Sequence, residues 1–134
     1  MKKLLILSIT LFSLFSCSSD DENIEKDPLI GTWYFFSENG KEVDDCNKKS
    51  TAIISEKGDF TATNYGNQDN PNACVIENIN NGTWVSKKNN KYELKNNKSG
   101  SITIHTITFS DNKNTFKSEV IVDNTKEIAT FKRK

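Results

Sequence analysis

The sequence predicts an all-β domain, a single up-and-down antiparallel β-barrel of about eight strands. Three observations predict it. Beyond the N-terminal leader, the apolar side chains are mostly β-branched or aromatic and come in short runs. Clusters of Asn, Asp and Gly separate those runs at nearly regular spacing. No stretch after the N-terminal leader repeats its apolar residues with a helical period. A sandwich would use the same strands, but a closed barrel leaves no unpaired edge on an exposed monomer.

The elements follow in order. Strands are expected at 32–37, 50–55, 60–65, 74–79, 83–87, 91–95, 102–110, 115–122 and 127–132. Turn chemistry stands between them: Glu38-Asn39-Gly40, Glu56-Lys57-Gly58-Asp59, Asn80-Asn81-Gly82, Lys88-Asn89-Asn90, 96–100, Asp111-Asn112-Lys113-Asn114 and Asp123-Asn124-Thr125. Asn, Asp and Gly tolerate the left-handed backbone that tight hairpins need. In 115–122, Phe116, Ser118, Val120 and Val122 share one face, which turns Lys117 and Glu119 to water. In 102–110, Ile102 and Ile104 hold one phase while Ile107 and Phe109 hold the other. The switch falls at His105-Thr106 and predicts a bulge or bend there. His105 is therefore read as a mark of strand geometry rather than of chemistry.

The N-terminus divides from the domain by composition. Met1-Lys2-Lys3 precedes an apolar stretch from Leu4 to Phe15, too short for the roughly 20 residues that a membrane-spanning helix needs. Residues 1–16 read as a removable signal peptide, 17–26 as an acidic tether, and 27–134 as one domain. The leader followed directly by Cys17 resembles the lipobox of bacterial lipoproteins. That resemblance implies that the Cys17 sulfur carries a diacylglycerol and anchors the mature chain in a membrane. Asp20-Asp21-Glu22 resembles the signal by which some Gram-negative bacteria place lipoproteins on the outer face. The expected location is therefore the outer membrane, at the cell surface or facing the periplasm.

Once a lipid occupies Cys17, two of the three cysteines remain, Cys46 and Cys74. In an oxidising compartment they should form a disulfide. A metal site is the competing reading, but the pair lacks CxxC spacing and His105 is the only histidine. No metal or other cofactor is expected. The net charge is zero and no basic stripe is present, which argues against nucleic acid as a partner.

Gly31-Thr32-Trp33 opens the first strand, and Gly82-Thr83-Trp84 repeats the tripeptide later. Gly-x-Trp at the first strand resembles the lipocalin signature. The order of Leu29-Ile30-Gly31-Thr32-Trp33, Cys46, Gly58-Asp59-Phe60, Cys74, Gly82-Thr83-Trp84 and Ala129-Thr130-Phe131-Lys132-Arg133 is similar to that of the bacterial lipocalin-like domain family. The resemblance implies that Trp33 plugs one end of the barrel. It also implies that Arg133, the one arginine, lies over that indole; read alone, Lys132-Arg133-Lys134 is a solvated basic tail. No second or third lipocalin motif and no C-terminal helix accompany the first.

The resemblance implies one small apolar or amphipathic ligand inside the barrel. Alternation offers Phe35, Ile54, Phe60 and Trp84 as wall residues, with Leu94 and Val120 behind them, and the same side chains serve equally as plain core. The alternative function is a surface protein-interaction module, an adhesin, inhibitor or complex subunit, with a filled barrel and a protein partner on its loops. Catalysis is not expected, since there is no phosphate loop and no diagnostic acid pair. Carboxylates acting alone, as in a hydrolase, are the one enzymatic reading the composition leaves.

Overall fold

Eight antiparallel strands close on themselves in the computed structural model, which describes residues 25–67 and 73–134. The expected signal peptide, the expected lipidation at Cys17 and most of the expected tether lie outside the described residues. The strands are β1 (Gly31–Glu38), β2 (Lys41–Glu42), β3 (Thr51–Ile54), β4 (Asp59–Gly66), β5 (Val75–Ser86), β6 (Lys91–Asn96), β7 (Ile102–Ser110), β8 (Thr115–Val122) and β9 (Thr125–Arg133). Strand β2 only extends β1 as a hairpin. The other eight pair with their sequence neighbours, and β1 pairs with β9 to close the barrel. A single 3-10 turn, Asn47–Lys49, precedes β3.

Turn chemistry does what the sequence leads one to expect at the tightest corners. Asn39 and Gly40 join β1 to β2, and Asp123 and Asn124 join β8 to β9; all four have positive φ. Two consecutive left-handed residues twist the chain in the sense that antiparallel strands require.

Two expectations are corrected. Asn80-Asn81-Gly82 is not a turn but the middle of the twelve-residue strand β5. Its asparagines form a side-chain ladder: Thr61 Oγ1 donates to Asn81 Oδ1, Asn64 Nδ2 to Asn78 Oδ1, and Asn96 Nδ2 to Asn80 Oδ1. Gly82 is demanded by packing, because a Cβ there would collide with the Lys95 carbonyl oxygen and with the Phe60 ring. Nor is there a bulge at His105-Thr106. Strand β7 pairs without a shift in register, and Ile102 and Ile104 face outward, each about half exposed. The register shifts lie instead between Phe35 and Ser37 and between Asn64 and Tyr65.

The two ends of the barrel differ. At one end Leu29, Trp33, Ile54, Phe60, Trp84, Tyr92, Ile107 and Phe116 form the buried core. At the other, the disulfide between Cys46 and Cys74 ties the segment that leads into β3 to the start of β5. Pairing between β7 and β8 stops at Thr106 opposite Glu119, although both strands run on toward this end.

Candidate ligand-binding site

Trp33 forms the floor of the barrel beneath the site and does not itself line the cavity. Its side chain is 0% exposed, and its indole N–H donates to the Leu29 carbonyl at 2.8 Å. Phe116 packs edge-on against it with centroids 4.7 Å apart. Arg133 covers the other side, its guanidinium carbon 4.1 Å from the indole centroid. The guanidinium is itself held by three carbonyls, donating from Nη1 to Ile30 and from Nη2 to Pro28 and Lys113. Gly31 makes this possible, since a Cβ there would run into Nη1 of Arg133. The basic C-terminus is therefore ordered against the floor.

Tyr92 and Asp27 seal the same end. The Tyr92 hydroxyl donates to the Asp27 carboxylate at 3.2 Å. Burial first, and the Asp27 charge second, push the Tyr92 phenol up to about 12.

Above the floor lies a cavity of about 270 Å³. It exists because Ala52, Ala62 and Ala129, from three strands, face inward where larger residues would fill the barrel. Phe35, Ile54, Phe60, Leu94, Ile107, Phe116 and Phe131 supply the apolar wall. Phe116 stacks on Phe131 at 4.8 Å between centroids, and Phe131 meets Phe35 at 5.5 Å, so β8, β9 and β1 present a continuous bank of rings. The phase follows from the pleat: alternate residues of every strand point in.

Five polar residues join that wall toward the disulfide-tied end: Ser50, Thr51, Asn64, His105 and Ser118. Ser118 Oγ lies 2.8 Å from His105 Nδ1, and His105 Nε2 lies 2.9 Å from Thr103 Oγ1. Burial pushes the His105 imidazole below its ordinary range. Ser50 Oγ accepts a hydrogen bond from the Tyr65 backbone N–H at 2.8 Å.

The structure thus brings Phe35, Ile54, Phe60 and Leu94 to one cavity. Trp84 is not among the lining residues. It is buried beside the floor, where its indole N–H donates to the Ser55 carbonyl and its ring packs on Tyr92. Val120 borders the outer seam between β7 and β8, with Ile102, Ile104 and Ile121. His105 and Ser118 were missed as wall residues. The available signal was the phase of Ile107 and Phe109, which carries back to His105 without a switch.

A family model described as a lipocalin-like domain matches residues 29–130. The chain belongs to the lipocalin-like domain family. No curated protein matches the sequence. Among solved structures, this lipocalin-like domain is similar to a mutant of the fluorescent protein UnaG, at 13% identity and a TM-score of 0.44. That match covers 80% of this chain and 96% of the other.

Proposed function

We propose that the protein is a lipid-anchored outer-membrane lipoprotein whose barrel binds a small apolar or amphipathic molecule. The cavity carries the binding part of this reading. It is enclosed by a closed barrel, walled by phenylalanines and aliphatics, and left open by three inward alanines. Plain core packing would leave few voids larger than a water molecule. Anchoring rests on Cys17 directly after a basic, apolar leader, with the tether placing the barrel beside the membrane surface. The role is binding rather than catalysis.

Native mass spectrometry of the protein isolated from its own host tests the binding part. A reproducible bound mass, lost on denaturation, is the expected result. A bare polypeptide from every gentle preparation would overturn it. Cys17→Ala tests the anchor separately, and persistence of that variant in the membrane fraction would refute lipidation at Cys17.

A further inference from the structure

The cavity reading can be carried to a ligand class. None of the described residues that line the cavity is Asp, Glu, Lys or Arg. The imidazole of His105 is kept uncharged at neutral pH by its burial, so it offers no counter-charge. An ionised ligand group would therefore be stripped of water without a partner, which opposes its binding.

The cavity is nevertheless not purely apolar. Ser118 is 7% exposed and, paired with His105, lines the same cavity as Phe35, Phe116 and Phe131. The chain Thr103–His105–Ser118 can be polarised in either direction. With the proton on Nδ1, His105 donates to Ser118, Thr103 donates to Nε2, and the Ser118 O–H is free to donate onward. With the proton on Nε2, Ser118 donates to Nδ1 and keeps lone pairs to accept. The same hydroxyl can thus meet a carbonyl or a hydroxyl, and the reversal needs no movement of heavy atoms.

Size narrows the class further. An apolar cavity of about 150 Å³ suffices for benzene, and drug-sized ligands take roughly 300–1,000 Å³. At about 270 Å³ this cavity suits one or two fused rings. The bank formed by Phe35, Phe131 and Phe116 offers such rings offset or edge-on contacts.

We propose that the ligand is a small uncharged ring-bearing alcohol, phenol or ketone, seated ring-first toward Phe116 with its oxygen hydrogen-bonded to Ser118. This rests on the barrel cavity being the binding site.

Three probes of one shape test it: naphthalene, 2-naphthol and ionised 2-naphthoate, titrated at neutral pH into the full chain carrying Cys17→Ala, alone and with Ser118→Ala. The expected result is 2-naphthol binding at least about tenfold more tightly than 2-naphthoate. Ser118→Ala should weaken 2-naphthol by about threefold to tenfold and leave naphthalene nearly unmoved. Should 2-naphthoate bind as tightly as 2-naphthol, the uncharged class is wrong while the cavity reading stands. Should Ser118→Ala shift 2-naphthol no more than naphthalene, the Ser118 contact is wrong. Binding of none of the three would overturn the cavity reading itself.

Discussion

Trp33→Ala is the substitution with the most to say about this barrel. The indole is fully buried, capped by Arg133 on one side and met by Phe116 on another. Truncating a buried aromatic costs about 3–5 kcal/mol when the site cannot collapse. Collapse is blocked here, because Arg133 is fixed by three backbone carbonyls and Phe116 by its stack on Phe131. The Leu29 carbonyl also loses its donor, which adds about 1–3 kcal/mol if water does not replace it. Domain stability is about 5–15 kcal/mol, so the variant should be near the edge of folding. In urea, with a slope of roughly 2 kcal/mol per molar, the midpoint should fall by about 1.5–2.5 M from the truncation alone and by about 2–4 M with the unpaired carbonyl included. Circular dichroism follows the transition without relying on the fluorophore that was removed. Trp33→Phe is the milder truncation: it keeps one aromatic ring and loses the N–H with the rest of the bicycle, so it should cost about 1–3 kcal/mol for the unpaired carbonyl plus a smaller cavity term than Trp33→Ala. A cycle of Trp33→Leu with Arg133→Met, which removes the π face and the cation in turn, then reads the coupling between indole and guanidinium, about 0.5–2 kcal/mol. A Trp33→Ala midpoint equal to wild type would refute the claim that this residue is the floor of the barrel.

Removing the disulfide with Cys46→Ala and Cys74→Ala should lower stability by about 3.5 kcal/mol on the chain-entropy model, for cysteines 28 residues apart; unchanged unfolding in urea would mean that the mouth loops need no tie. Gly82→Ala should destabilise β5, since its Cβ would approach Phe60 Cε1 to 2.5 Å and collide with the Lys95 carbonyl; an unfolding midpoint equal to wild type would show that the two strands part easily. His105 gives a pH prediction. Its folded-state value lies below the ordinary 6.5 because burial disfavours imidazolium, so the unfolded chain takes up the proton more readily. Stability contributed by the neutral form is present above 6.5 and declines as pH falls from there toward the folded value. Between about pH 7 and about pH 5, wild type should lose more stability than His105→Gln, and parallel unfolding curves would contradict the burial argument.

Much of the barrel is legible in the sequence because its local and global signals agree. Asn39-Gly40 and Asp123-Asn124 sit between alternating runs, and each needs two left-handed residues that few other side chains supply. Asn80-Asn81-Gly82 carries the same letters and is a strand. What distinguishes it is tertiary: asparagine side chains from β4, β5 and β6 bond from strand to strand, and Gly82 admits the Phe60 ring. Nothing within the tripeptide encodes those neighbours.

The interior polar groups were hidden for a related reason. Strand β7 carries isoleucines on both faces, and the outward pair, Ile102 and Ile104, made the inward phase look as though it changed. The pairing of Tyr92 with His105 and of Ser118 with Ile107 restores the phase and puts His105 beside Ser118. That placement sets polar groups toward the tied end and rings toward the plugged one. A barrel built only to be stable would fill its middle, since each inward alanine forfeits contacts that a leucine would make. Ala52 and Ala62 pair directly across β3 and β4, Ala129 joins them from β9, far along the chain, and together they open one space that Ser118 also lines. Filling that space is the sharpest way to separate core from site. Ala62→Leu should raise stability if the void can accept the added methyls without strain, and it should abolish binding of every probe together. Full probe binding by a folded Ala62→Leu variant would place the ligand somewhere other than the barrel interior.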